Sequence, residues 1–456
     1  MLILPALATL FTFLYWRPHE IFEVFRPLTI YASLGFVVFG YLIDLRTGAA
    51  RLKASPLLVI LGALILWCPI TVALKAPDNL GEQVPLLATS FLTMFFVSQG
   101  VQSLRGLRAI GWVLLAFTVM LAALGTDQGL APTGCYLRSS PELTETANEG
   151  FDGRACTTRE ECYHGGLFNA DYGCEHAGWL GTSSITGRVR YRGILEDPNE
   201  LAWALSMGIP FAFAFYEAKK SRLRMAALVA SVAVVGVCVV FTKSRSGQLS
   251  LLANLAVYFI RRYRGRGVVA AALAAIPLLL LGGRSGEDAD SSSEERLGCW
   301  SEALNMFREN PLTGVGAGQF REHHYLTAHN SFLLTLAELG PIGFLLWTSA
   351  IYFAIKVTIR AQMELAGREG AEAARSLSMA LLASMVGLVV SSVFLSLAYH
   401  PILWIFLGLT GSLYAAIRQH APTFRVTFRV RDLAAVAAVD IAFVSSIAVY
   451  LHWKGI

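Results

Sequence analysis

Apolar blocks of near-bilayer length recur from one end of the chain to the other, and they leave few folds open. A helix needs about 20 apolar residues to cross a hydrocarbon core, and only helices and closed barrels satisfy their own backbone there. Thirteen candidate spans can be read, at residues 2–16, 28–43, 56–74, 84–97, 107–125, 201–216, 223–242, 249–260, 268–281, 331–359, 377–397, 402–417 and 433–451. With 55% hydrophobic and only 15% charged residues among 456, the chain has more apolar surface than one water-soluble core can use. The expected fold class is an all-α polytopic membrane protein with about 12–13 transmembrane helices. The first block has no basic residue after Met1 and runs into Phe13, Tyr15 and Trp16 instead of a small-residue cleavage site. It therefore reads as a retained span rather than a signal.

Charge placement sets the orientation. Lys219, Lys220, Arg222 and Arg224 share one loop, Arg261, Arg262, Arg264 and Arg266 a second, Arg360, Arg368 and Arg375 a third, and Arg418, Arg425, Arg429 and Arg431 a fourth. If spans alternate, all four lie on one side, with Arg46, Arg51, Lys53, Arg105 and Arg108. By the positive-inside rule that side is the cytoplasm and the amino terminus lies there. A formal net charge of +5 does not point to nucleic acid, because the cations sit in short loops and form no stripe with interleaved aromatics. The two long polar segments emerge on the opposite, external face. The division is residues 1–125, N-terminal helices; 126–200, a Cys-rich external loop; 201–281, central helices; 282–330, a second external loop; and 331–456, C-terminal helices.

Four cysteines, Cys135, Cys156, Cys162 and Cys174, fall in the first external loop, whereas Cys68 and Cys238 lie within spans and Cys299 in the second loop. In an exported, Gly-rich segment, four cysteines suggest two disulfides in any of three connectivities. A zinc site of Cys162, His164, Cys174 and His176 is the competing reading, and its spacing fits no paired CxxC arrangement.

The external ionisable residues carry the chemistry. Asp197 reads as a helix cap, with Pro198 as first helical residue and Asn199 and Glu200 in the positive first turn. Arg192, just before, is an external cation against the topogenic bias. In Thr242-Lys243-Ser244-Arg245-Ser246-Gly247 two cations occupy a tight turn between spans. Lys243 suits snorkelling to headgroups. Arg245, beside two hydroxyls and a glycine open to ligand approach, suits a two-pronged grip on phosphate. Arg296 precedes a run in which Trp300, Leu304 and Phe307 repeat at helical spacing, a packing or interfacial stripe that Asn310-Pro311 ends. The GVGAG after it lacks the strand and Lys-Ser/Thr of a nucleotide loop and reads as a flexible turn.

His329 opens the next apolar helix. Its structural readings are a cap or a hydrogen-bonding group, or a weak metal cluster with His323 and His324. Its chemical reading is a general base: a neutral imidazole takes a proton from a hydroxyl near neutral pH while guanidinium groups stabilise a departing diphosphate. Glu302 and Glu338 are candidates to orient or charge-balance the site, and for Glu338 a plain pairing with an arginine is the structural alternative.

In order along the chain, RGILEDPNELAW, TKSRSG, ERLGCWSEALNMFRENPLTGVGAGQF and TAHNSFLLTLAELGPIG resemble the O-antigen ligase and polymerase family of bacterial envelope enzymes. The amino-terminal Tyr15-Trp16-Arg17-Pro18-His19-Glu20 is similar to O-glycosylation ligases associated with exosortase systems. The resemblance implies a GT-C-like glycosyltransferase of the inner membrane that uses an undecaprenyl-diphosphate-linked glycan on the periplasmic face, without a metal or other cofactor. It implies a glycan, lipid A core or protein as acceptor, membrane lipids as surroundings and no nucleic-acid partner. By motif position Arg245 and Arg296 look like the family's diphosphate-binding arginines, His329 like its catalytic base, and Arg192 like a further basic position. The Cys-bearing insertion departs from the family by its length. A transporter of lipid-linked glycans would instead place cations within the spans, and a surface-binding protein would not need so many spans.

Overall fold

The computed structural model describes residues 1–139, 150–166, 170–269, 271–273 and 287–456, the side chains of residues 139 and 287–293 excepted. Among the described residues the helices of nine or more residues are α1 (Ile3–Phe11), α2 (Ile30–Arg46), α3 (Pro56–Lys75), α4 (Leu80–Gly100), α5 (Leu104–Leu130), α6 (Pro198–Ala218), α7 (Arg222–Phe241), α8 (Arg245–Tyr263), α9 (Glu287–Glu309), α10 (Ser331–Glu364), α11 (Glu372–Ser392), α12 (Pro401–His420) and α13 (Val430–Lys454). Many begin on short polar side chains that accept a first-turn N–H, as Ser55, Ser103, Asp197, Ser221, Ser244 and Asn330 do, and Pro56, Pro198 and Pro401 take the first helical position. Such residues stop an apolar run from starting early and satisfy donors the helix leaves orphaned.

The protein is an all-α polytopic membrane protein. Among the described residues nine helices are long and apolar enough to cross a membrane: α3 to α7 and α10 to α13. The other four expected spans differ. The first is short, a helix continued by a π-turn to Trp16; α2 has 17 residues; α8 carries too many polar groups to qualify; and residues 268–281 fall largely outside the described residues.

α6 and α12 form the interior, with 78% and 89% of their apolar windows buried, against 28% for α7 and 17% for α13, whose outer faces are left to lipid. Inside, small polar residues join the helices. The Ser206 and Ser250 hydroxyls meet at 2.7 Å, Ser250 Oγ donates to Gly387 O, Asn254 Nδ2 donates to Ser206 O and Ser384 Oγ to Met207 O. Without water to drive association, close packing over small residues and hydrogen bonds between helices hold such a bundle.

The basic loops gather at one end. Arg262 pairs with Glu217 at 3.4 Å, Arg261 donates to Gln362, and Lys53 lies near Arg51 and Arg418. The N–H groups of Leu2 and Ile3 donate to the Asp44 carboxylate, which brings the amino terminus to that end too. The opposite end carries a small lobe built on an antiparallel sheet of order β2-β1-β3-β4, with β1 Thr133–Ser139, β2 Gly150–Ala155, β3 Asp171–Gly178 and β4 Thr182–Ser183. The strands are an addition to the helical fold read from sequence.

Two disulfides, Cys135–Cys162 and Cys156–Cys174, cross the lobe. Among the described residues its own core is those cysteines with Leu137, Ala170 and Tyr172, a small one, so cross-links supply what burial cannot. The zinc reading is corrected by them: Cys162 and Cys174 are bonded to other cysteines, and His176 Nδ1 lies 2.6 Å from Ala131 O. The lobe stands on α5 through Trp179 N–H to Asp127 Oδ2 and Arg190 N–H to Gln128 Oε1, both 2.9 Å.

Candidate functional site

The lobe end collects Arg192, Arg245 and His329 from distant parts of the chain. Asp197 caps α6 by accepting Asn199 N–H at 2.6 Å, with Pro198 next, as the sequence suggests. Just before it, Arg192 Nη2 donates to Leu180 O at 2.7 Å and Gly181 O at 2.9 Å, fixing the start of α6 to the lobe. Gly193 has φ +57°, and a Cβ there would come within 2.1 Å of the Arg17 Cζ, so only glycine admits the Arg17 guanidinium. Arg17 in turn binds Glu20. Burial works to raise the Glu20 carboxyl, but the hydrogen bond and charge of Arg17, with His19 and Arg192, hold it below its usual range. Tyr191 OH donates to Trp16 O at 2.7 Å, and burial pushes its phenol up to about 12. The Nε–H groups of Arg17 and Arg192 are buried with no hydrogen-bond partner among the described residues.

The TKSRSG turn is tight, as expected. Lys243 has φ +50°, Ser244 Oγ accepts Gly247 N–H at 3.1 Å, and Arg245 is the exposed first residue of α8. Gly247 does not open the backbone to a ligand: a Cβ there would lie 2.2 Å from Ala202 Cβ, so it is the point where α8 packs on α6. Sequence reading passed over Arg188, which is buried and donates from Nε to Thr242 O at 2.9 Å and from Nη2 to Asn199 Oδ1 at 3.0 Å. One guanidinium thus ties the lobe's exit, the Arg245 turn and the head of α6 together. Glu175, also buried, accepts from Ser184 Oγ, Thr186 N–H and Gly187 N–H and so shapes the strap that delivers Arg188.

His329 is half-buried with φ +47°, immediately before Asn330, which caps α10 by accepting from Phe332 N–H and Leu333 N–H. The cap is thus Asn330 and not His329. The His329 N–H donates to Ser396 Oγ at 3.0 Å, Ser396 Oγ donates to Thr327 Oγ1, and Ser331 Oγ bridges Leu395 O and Leu397 N–H. The 393–400 segment between α11 and α12, which carries no sequence signal beyond one histidine, therefore sets the His329 backbone. Its last residue reaches across the site: His400 Nδ1 accepts Ile402 N–H at 3.3 Å, so Nε2–H donates to Ile194 O at 3.1 Å. Burial holds this imidazole down at about 4, consistent with the neutral tautomer those contacts require. His329 and the Arg192 segment are joined through this one loop.

Glu338 is buried on α10 and among the described residues pairs with no arginine. Its carboxylate accepts Gly318 N–H and Phe320 N–H, each at 2.9 Å, while the carbonyls of Ala337 and Glu338 accept Val315 N–H and Gly316 N–H. The GVGAG segment is accordingly a clamped loop and not a flexible turn. Gly314, at φ +66°, could not carry a Cβ, which would meet Ala337 O at 2.4 Å. Arg296 lies within α9 rather than ahead of a helix, one turn before Cys299, whose Sγ is 4.0 Å from His324 Nδ1; Glu302 is half-buried on the same helix. Of the expected stripe on that helix, Leu304 is buried and Trp300 and Phe307 are half-buried against the core, with Ala303 and Met306 buried beside them. Among the described residues His323, His324 and His329 bring no three ligand atoms together, and the close trio Cys135, Cys156 and Cys162 is disulfide-bonded.

Backbone strain marks the same end. Of the six described non-glycine residues with positive φ, Arg17, Leu180, Thr186, Lys243 and His329 are there, and only Arg264 is elsewhere. Such conformations cost about 1–3 kcal/mol each and cluster at functional sites.

Comparison with curated proteins gave no match. Over residues 230–348 the chain matches the family model described as O-antigen ligase. That segment holds Arg245, Arg296, His329 and Glu338, and over it the chain is similar to the O-antigen ligase family, which supports the resemblance read from the sequence.

Proposed function

We propose that the protein is an inverting, metal-independent glycosyltransferase that moves a glycan from undecaprenyl diphosphate to an acceptor hydroxyl on the periplasmic face of the inner membrane. The observation that carries this reading is the family match over the segment with Arg245, Arg296 and His329. The shared location of Arg17, Arg192, Arg245 and His329 at the lobe end, away from the basic loops, supports it.

In the proposed step the acceptor O–H attacks the anomeric carbon and its proton passes to the His329 imidazole. The bond from that carbon to the phosphate oxygen breaks, and undecaprenyl diphosphate leaves with the electron pair. One displacement with no covalent intermediate inverts the centre. Arg245 and Arg296 grip the diphosphate with paired N–H donors. Arg192, with Arg17 beside it, offers buried N–H donors to the same anion, and Arg188 positions the Arg245 turn. Glu338 positions the loop leading to His329, and Glu302 is a candidate to orient Arg296. Ligase and polymerase share this chemistry and differ in the acceptor: lipid A core, a protein side chain, or the end of a growing glycan. A transporter reading is disfavoured because the described cations gather at the two ends of the bundle.

Transfer from purified lipid-linked donor in membranes, followed with each candidate acceptor, tests the proposal. The α-or-β outcome at the new bond tests the displacement, since retention would contradict it.

A further inference from the structure

At the basic end, far from the lobe, the segment from Ala421 to Val430 alternates: Phe424 and Val426 are buried and Phe428 half-buried, while Arg425, Thr427 and Arg429 are exposed. Period-two alternation means an extended strap with one apolar face on the bundle and one basic face outward. The strap turns its basic face to α10 and the start of α13, and together they enclose a cavity of ≈ 440 Å³ lined by Lys356, Arg360, Arg425, Arg429 and Arg431. Its one acid, Glu364, is bound by Arg368 outside it. Lys356 is held by Asp432 at 2.7 Å and by Thr427 O. Arg360, Arg425 and Arg431 have no carboxylate partner among the described residues. Topogenic arginines need only be somewhere in a loop; here five cations from three elements face one cavity, within the size range of small-ligand sites.

The cavity opens beside lipid-facing surface. Val430 and Leu433 at the head of α13 and Met363 on α10 are 83%, 39% and 61% exposed. A ligand suited to both surfaces has an anionic phosphodiester on an apolar body. We propose that this cavity binds the headgroup of an anionic phospholipid from the leaflet at the basic end, with its acyl chains against α13. Free phosphate would use the guanidinium groups but not the apolar face, which favours the lipid.

The test uses the full chain in detergent, with phosphatidylglycerol, phosphatidylcholine and inorganic phosphate as probes, read by native mass spectrometry and by the melting temperature. Wild type is expected to retain phosphatidylglycerol over phosphatidylcholine and to be stabilised by it. The double variant Arg425→Gln/Arg431→Gln is expected to bind phosphatidylglycerol roughly 30-fold more weakly, from about 1 kcal/mol per cation at 1.4 kcal/mol per tenfold. Arg425→Lys/Arg431→Lys, which keeps the charge, is expected to recover most of the binding and shows that loss in the glutamine variant is not misfolding. Equal retention of both lipids by wild type, or undiminished binding by the glutamine variant, would overturn the site. Stabilisation by phosphate alone equal to that by phosphatidylglycerol would overturn the lipid assignment.

Discussion

The main-chain N–H of His329 donates to the Ser396 hydroxyl at 3.0 Å, across 67 residues of chain. It holds a non-glycine residue at φ +47°, a conformation that a free chain would leave. In the proposed step, this contact would hold His329 pre-organised for an incoming hydroxyl, with no ordering needed during the reaction.

Ser396→Ala removes that acceptor and should lower the transfer rate about fivefold while leaving donor binding near wild type, because the loss of about 1 kcal/mol falls on positioning. Single-turnover rates beside donor titration check this. A change confined to donor affinity would count against the positioning role.

Arg245→Lys keeps the charge but replaces a planar fork with a point charge. Donor affinity should fall about tenfold, and Arg245→Ala further. Equal donor affinity for Arg245→Lys and wild type would remove Arg245 from the diphosphate grip.

Glu338→Ala leaves the buried Phe320 N–H and the part-buried Gly318 N–H without their acceptor, at a cost of about 1–3 kcal/mol for the buried one. The variant should lose several degrees in melting temperature, and Gly314→Ala should do the same through its clash with Ala337 O. Unchanged thermal stability in both would mean the loop is not clamped in solution.

Non-reducing peptide mapping should recover Cys135 linked to Cys162 and Cys156 linked to Cys174, as the structure pairs them. Thiol labelling of intact cells should require prior reduction, and removing either pair should destabilise the lobe by about 2–5 kcal/mol. External labelling without reductant, or another pairing, would contradict this arrangement.

Much of the bundle was legible because apolar runs and their caps are local signals: Asp197-Pro198 announces α6, and the basic loops do meet at one end. α8 was harder, since Ser250 and Asn254 are spent on bonds between helices and dilute its hydropathy. The disulfide pairing was not legible because Cys135 and Cys174 face each other in the sheet yet bond to other partners. The candidate site is legible in the sequence where polar groups stand out of place, at Arg192, Arg245 and His329. It was not legible at Arg188 or Ser396, whose partners lie 54 and 67 residues away. GVGAG was misread because the carboxylate that clamps it belongs to the following helix, 18 to 20 residues on.

The most direct measurement is glycan transfer in membranes from purified undecaprenyl-diphosphate-linked donor, comparing wild type with His329→Ala and His329→Asn. Asparagine tolerates the left-handed backbone, so its variant removes the base without adding strain. Loss of a general base predicts transfer reduced by about 10²–10⁴-fold in both variants, with the protein folded and donor still bound. Transfer at the wild-type rate by His329→Asn would contradict the role of His329 as the proton acceptor.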